Sequence, residues 1–471
     1  MKIWIDEENE EETQPVRQRE EEQDGQDEDV KVDRSDRHIL YAILFEVLMG
    51  AFVWLKSARA GMNYLYCLAP MLVITGLAGN YAYQKNADMR LFGAVAKLAA
   101  AGIGLQLTID QIYHPIGTFS VIKYLISLVI AIIFLIFYSY FRKLLNKQAT
   151  VYVMMGVSAA IYLFLAVKGY DPNGYGTNAW ISIAGFTIQM TDFTKVSALL
   201  FYASLFSSQL RFEEDKVLTL STIFFLINLG GSILIRELGS FFILFFLHLG
   251  LIFIFMKHSH RKRMYLIIMF VLFFGSAAAL FGMYKLLNPA YQAGTLKAPF
   301  TLIYPLCKKV YERFSVTANI NSDPYGAGYQ LLQGKKALWM GGLFGNTVNF
   351  NAIPVAESDM AFVAMAAEFG WVLSLYCIFL LCRIGSRGCA AANRLLKHHR
   401  QDAVVAFGAA FMLVMQGLIV ILGSCNLIPF TGLPIPFLSR GFTYQTIVFC
   451  FTGTLLHLSE QKEESDDETD A

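Results

Sequence analysis

The chain has 471 residues, 55% of them apolar and 16% charged, with a net charge of +1 and a mean hydropathy of +0.47. A soluble domain carries about 25% charged residues, so this balance excludes an ordinary soluble enzyme. No basic excess marks a nucleic-acid partner, and none is expected. The seven Cys lack a Cys-x-x-Cys metal spacing, and neither a disulfide framework nor a structural metal is read from them.

In chain order, residues 1–37 are crowded with Glu, Asp and Gln and cannot bury a core, so they read as a disordered acidic tail. The start is acidic where a signal peptide is basic. Apolar runs then recur at lengths near the roughly 20 residues that cross ~30 Å of hydrocarbon. They fall at 39–57, 62–80, 91–109, 118–141, 150–167, 192–208, 218–235, 238–257, 264–287, 360–382, 403–425 and 441–458. The expectation is an all-α polytopic membrane protein of about twelve transmembrane helices. It divides into N-terminal helices over 38–168, core helices over 169–287, a large extracytoplasmic loop over 288–359 and C-terminal helices over 360–458, with an acidic tail over 459–471.

Lys and Arg in the short loops set orientation. Arg142, Lys143 and Lys147, the run from Lys257 to Arg263, and the stretch from Arg383 to Arg400 would all be cytoplasmic if the N-terminus is. Both termini then lie in the cytoplasm and the long loop faces outward. That loop mixes aromatics with Gly, Pro and Lys, which suits a folded cap with a short amphipathic helix over Leu331–Leu338.

One acidic side chain stands out at the loop's end. Asp359 sits at the mouth of the apolar run from Met360 to Leu381, where the bilayer cannot solvate a carboxylate. Asp also suits a helix cap there. Four clusters accompany it on the outer side. The first runs from Gly174 through Trp180 and Gln189 to Lys195, with Thr191 or Asp192 placed to cap the next helix. Lys195 would lie one turn into that helix, against its dipole, so it should meet an anion, a phosphate or a nearby carboxylate. The second is Arg236-Glu237-Leu238-Gly239-Ser240, read as a mutually satisfied pair or a helix break, or as lining for a polar cavity. The third is Gly328-Tyr329-Gln330 with Gly341, Gly342 and Gly345, and the fourth is the Pro-rich stretch from Asn426 to Gly441, which cannot be a continuous helix. Non-helical backbone at that depth must be buried in protein or line a wet cavity.

Together these segments resemble the SEDS family (shape, elongation, division and sporulation), the FtsW/RodA/SpoVE group. Trp180, Ile181, Gln189 and Lys195 match one block, Arg236 to Ser240 a second, and Gly328-Tyr329-Gln330 a third. Ile353-Pro354 through Asp359, with Glu368 and Gly370, matches a fourth, and Thr431 to Gly441 a fifth. The chain departs from the family pattern at Ala179, Met190 and Arg440, where the family has Arg, Pro and Tyr. The family has ten spans, three of them before the Trp block; five precede it here, so two extra N-terminal spans preserve the parity.

The resemblance implies a peptidoglycan glycosyltransferase polymerising lipid II at the outer leaflet of the bacterial plasma membrane, in division, elongation or sporulation. Asp359 is then the base or the ligand of a divalent cation (Mg or Mn). Lys195, Arg236, Arg313 and Arg440 are candidate diphosphate partners. Trp180, Gln189, Glu237, Gln330, Glu368 and Ser439 complete the candidate substrate contacts. Lipid II, the growing glycan strand, membrane lipids and a class B penicillin-binding transpeptidase are the implied partners. The rival readings are a lipid-linked precursor flippase, which would need paired charges deep in several helices, and a non-catalytic scaffold.

Overall fold

The computed structural model describes residues 37–113, 121–172, 174, 176–183, 186–326, 328–346 and 353–460. Residues 1–36 and 461–471, nearly all of the two expected acidic tails, lie outside the described residues.

A helix occupies each of the twelve apolar runs. They are α1 (Arg37–Lys56), α2 (Ala58–Gln84), α3 (Met89–Tyr113), α4 (Val121–Leu144), α5 (Gln148–Lys168), α6 (Thr191–Leu205), α7 (Glu214–Leu234), α8 (Gly239–Phe255) and α9 (His260–Gln292). After the long outer segment, which carries α10 (Phe300–Ala318) and α11 (Tyr329–Gly341), come α12 (Ala361–Leu395), α13 (Arg400–Ser424) and α14 (Phe442–Leu458). Among the described residues eight helices are long and apolar enough to cross a membrane, and the protein is a polytopic helical membrane protein. Burial sorts them: α3 and α13 are largely enclosed, whereas α9 is almost wholly exposed. A helix that is apolar all round yet exposed suits lipid, which replaces the core as its apolar surroundings.

Three features of the outer face go beyond the sequence-based expectation. Residues Trp180–Ile183 (β1) and Phe186–Gln189 (β2) pair antiparallel, with Trp180 opposite Gln189. Their aromatic and β-branched residues favour that pairing. The expected short helix at Leu331–Leu338 is the longer α11. The amphipathic α10 was not anticipated, because Pro305 interrupts its sequence early.

The two N-terminal helices are joined to each other by buried hydrogen bonds at Glu46, whose Oε1 alone is partnered among the described residues. Glu46 on α1 is buried and accepts a hydrogen bond from the Thr75 hydroxyl of α2 at 2.5 Å, while Tyr64 donates to its carbonyl at 3.1 Å. A carboxyl in an apolar span needs such partners. The pair docks through Phe52, edge-on to Phe369 of α12 with ring centroids 5.3 Å apart.

Helix α12 breaks at Gly370, where φ is +84°. The freed backbone bonds the cap, with Trp371 N–H donating to Gly342 O and Val372 N–H to Leu343 O, both at 3.1 Å. A Cβ at Gly370 would lie 2.3 Å from Leu343 O. Gly370→Ala should therefore cost stability by the strained φ, about 1–3 kcal/mol, plus displacement of the 342–345 segment. Thermal unfolding in detergent should show a clear drop; an unchanged melting temperature would contradict this account of the kink.

Candidate functional site

Parts of all four clusters surround one cavity of about 920 Å³. Trp180, Thr187 and Gln189 of the hairpin form one wall, with Asp192 at the start of α6. The turn Arg236–Gly239 forms a second, and one face of α10 a third. Gln330, Pro354, Ser358, Asp359 and the Pro-rich segment at Phe430–Pro434 close it. All these elements lie at the helix ends that alternate crossing places on one side of the membrane.

Asp359 stands at the cavity wall as expected, but it caps nothing. The residue that caps α12 is Met360, with no side-chain hydrogen bond. The Asp359 carboxylate accepts instead from the Ser358 hydroxyl at 2.9 Å. Gly432, at φ +66°, lets the Pro-rich backbone approach it: a Cβ there would lie 3.4 Å from Asp359 Oδ2 and 4.0 Å from Arg313 Nη2. The carboxylate and the guanidinium thus converge on one glycine. Burial pushes the Asp359 carboxyl up to about 6, the Ser358 hydroxyl and Arg313 offsetting part of the effect while Glu357 adds to it.

Helix α10 supplies most of the facing charge. Pro305, Lys308, Lys309, Glu312, Arg313 and Val316 line the cavity, a spacing of one helical face. Burial lowers the Lys309 ammonium to about 8, helped by the nearby Arg313 charge and opposed by Glu237 and Asp171. Its Nζ donates to the Arg236 carbonyl at 3.1 Å. Burial also lowers Arg313, against the attraction of Glu237 and Asp359.

Seven of the eleven candidate residues line the cavity: Trp180, Gln189, Arg236, Glu237, Arg313, Gln330 and Asp359. Arg236 and Glu237 form no ion pair among the described residues, correcting the mutual-pair reading. Arg236 adopts φ +58° and reaches the cavity, while Glu237 Oε1 accepts from Ser240 N–H at 2.9 Å. The break is therefore a helix start whose first-turn Ser240 N–H is satisfied by the carboxylate of Glu237, just ahead of the Leu238 cap position.

The other four do not line it. Lys195 is 1% exposed, with Nζ 2.7 Å from Asp192 Oδ1 and 3.0 Å from Gln416 Oε1, beneath the Tyr444 ring. The anion it meets is the carboxylate three residues earlier, Asp192. Gln416 in turn donates to Pro434 O at 2.8 Å, so the buried pair braces the Pro-rich segment. Neither Thr191 nor Asp192 caps α6; its first turn is capped by Met190 with no side-chain bond. Ser439 is buried, its hydroxyl accepting from Ile435 N–H and donating to Ser358 O at 3.2 Å. Arg440 turns to Asp110 on α3, 3.9 Å away. Glu368 is fully buried in α12 against the Gly345 segment.

Sequence reasoning missed Lys308, Lys309 and Glu312. The i, i+4 pairs Lys308–Glu312, Lys309–Arg313 and Glu312–Val316 were the available signal. Among the described residues no three His, Cys, Asp or Glu side chains converge on a metal position. A cation bound through Asp359 would have fewer than three such side-chain ligands, which suits Mg coordinated mainly by a substrate's phosphates and water.

Known proteins are similar to this chain in sequence and fold. A probable peptidoglycan glycosyltransferase FtsW from Pasteurella multocida is 27% identical over 312 residues, spanning 64% of this chain and 72% of that one. The Synechocystis protein of the same name is 25% identical over 420 residues, 88% of this chain and 92% of that one. Stage V sporulation protein E of Bacillus subtilis is 25% identical over 325 residues, 65% and 77% of the two chains. Among solved structures, a chain from a peptidoglycan synthase complex aligns with a TM-score of 0.59 at 20% identity, over 80% of this chain and 99% of that chain. The rod shape determining protein RodA of Thermus thermophilus aligns at 0.51 and 18% identity, over 80% and 98%. At these identities the structures establish the fold alone. The profile of the cell cycle proteins FTSW_RODA_SPOVE matches residues 89–464, beginning at the first residue of α3 and leaving α1 and α2 outside. The chain belongs to that family.

Proposed function

We propose that this chain is a peptidoglycan glycosyltransferase that polymerises lipid II into glycan strands on the outer face of the bacterial plasma membrane, with both termini in the cytoplasm. The observation that carries the reading is the meeting of Asp359 and Arg313 at Gly432 inside a cavity whose α10 wall is cationic. The names of its relatives support the same chemistry.

The reaction joins the 4-hydroxyl of an acceptor sugar to the anomeric carbon of a polyprenyl-diphosphate sugar. The new C–O bond forms as the bond to the diphosphate breaks. The hydroxyl proton passes to Asp359, whose raised affinity for protons suits a general base near neutral pH. Negative charge accumulates on the departing diphosphate, where Arg313, Lys309 and Arg236 can stabilise it in a partly desolvated site. In the alternative role for Asp359, its carboxylate would hold a divalent cation, Mg or Mn, which would supply positive charge for the departing diphosphate. Trp180 and Gln330 present a flat apolar face and an amide to the sugars.

A class B penicillin-binding transpeptidase is the proposed partner. A related fold within a solved peptidoglycan synthase complex supports that assignment. Enzyme activity is favoured over a flippase because the cavity's charged lining gathers at one end of the helices. It is favoured over a scaffold because Asp359 is uncapped and faces the cavity.

Purified protein, with its transpeptidase present, should convert lipid II to glycan polymer. Asp359→Asn should lower the rate about 10²–10⁴-fold while the melting temperature stays close to wild type. A wild type that makes no polymer would remove the enzyme reading.

The rate should also follow two ionisations. As pH falls through about 6, Asp359 gains a proton and can no longer accept one, so activity falls. As pH rises through about 8, Lys309 loses its charge and its hold on the diphosphate weakens. Lys309→Arg should move the alkaline limb to higher pH while leaving the acid limb in place. A profile flat from pH 5 to 9 would contradict both assignments.

A further inference from the structure

Helix α3 presents one stripe to the two non-helical segments that carry the site. Gly102, Gln106 and Asp110, spaced four apart, lie along it. At Gly102 the backbones meet so closely that a Cβ would fall 2.0 Å from Phe437 O. One turn on, Gln106 is 3% exposed, and its Nε2 donates to Leu438 O at 2.6 Å and to Glu357 O at 3.0 Å. A further turn on, Asp110 faces Arg440, whose own N–H donates to Glu357 O at 2.8 Å.

Glu357 is two residues before Asp359, and Leu438 lies on the segment that approaches Asp359 at Gly432. A primary amide has two N–H donors, and here both hydrogens are aimed at carbonyls of different segments. The Leu438 acceptor is buried, where water cannot replace a lost donor cheaply, while the half-buried Glu357 carbonyl shares Gln106 with the Arg440 N–H. Neighbouring bonds complete the joint: Ser439 Oγ donates to Ser358 O, and Gln445 Nε2 to Ser439 O at 2.6 Å. The two segments are thus tied to each other, and Gln106 ties both to a rigid helix.

We infer that Gln106 is a positioning residue for the transfer reaction, holding the Asp359 turn and the Pro-rich segment in the register that puts the carboxylate beside Arg313. It does not reach the cavity itself. Its contribution is geometric: a displacement of about 1 Å at a reacting group costs on the order of 10²-fold in rate. The inference rests on the proposed transfer activity.

The test uses the full chain with Gln106→Met, which keeps the length and removes the donors, and Gln106→Glu, which keeps the size and offers at most one donor for the two carbonyls. Polymerisation of lipid II by the wild type comes first; its absence would count against the proposed activity rather than against Gln106. With wild-type activity in hand, both variants should lose roughly 10–100-fold in kcat while KM for lipid II changes by less than about three-fold. Hydrogen–deuterium exchange of 355–360 and 435–440 should quicken in both variants, with exchange elsewhere in α3 and α13 unchanged. That second readout holds even if a variant is too poor an enzyme to assay. Wild-type kcat in both variants, or protection of the two segments unchanged, would overturn the inference. So would a loss that appears only as raised KM or as global unfolding.

Discussion

The structure depends on burying two stretches of non-helical backbone at the outer end of a helical bundle. Residues 353–360 and 425–441 cannot bond within themselves as a helix does, and lipid offers no partners for what is left over. Their carbonyls and amides are satisfied across the gap between them. Glu357 O accepts from both Gln106 and Arg440, Ser358 O from Ser439, Pro434 O from Gln416, and Ser439 O from Gln445. The acceptors belong to the two segments; the donors from outside them come from α3, α13 and α14. This joint sets the position of Asp359, because the residue has no helix cap of its own to fix it.

The charged groups around the joint divide into those that hold it and those that face the cavity. Lys195 and Asp192 are a buried pair, expensive to desolvate and stable only because Gln416 completes the ammonium's bonding. Arg440 and Asp110 belong to the same supporting set. Arg236, Lys309 and Arg313 instead keep access to the cavity, with Glu237 near enough to temper them. The cavity lining thus sets Arg236, Lys308, Lys309 and Arg313 among Asp192, Glu237, Glu312, Asp323 and Asp359, with the cations concentrated on α10, where a donor that carries its own negative charge would be held.

The helices and the residue at the centre were legible in the sequence, and most of the supporting contacts were not. Runs of apolar residues announce spans directly, since lipid imposes a length as well as a composition. Asp359 was legible because a carboxylate at a span's mouth is costly. Lys195 was read correctly as a cation needing an anion, and its partner was already visible as Asp192, one helical turn earlier. Ser439 and Glu368 match the family's motifs and Arg440 replaces a motif residue, yet all three lie off the cavity, because motif position does not specify which way a side chain faces. The cavity face of α10 was encoded in the spacing from Pro305 to Val316 but hidden by the early proline. Gln106 had no local signature: its acceptors are 251 and 332 residues away, and an amide within an apolar helix reads as an isolated polar residue until the fold closes on it.

The most direct measurement is a structure of the full chain with a non-transferable polyprenyl-diphosphate sugar bound. The account predicts the diphosphate against Arg313 and Lys309, with the anomeric carbon next to the Asp359 carboxylate and the lipid leaving toward the exposed side of α9. A diphosphate bound at the opposite membrane face, or held by the outer cavity with the sugar remote from Asp359, would contradict it.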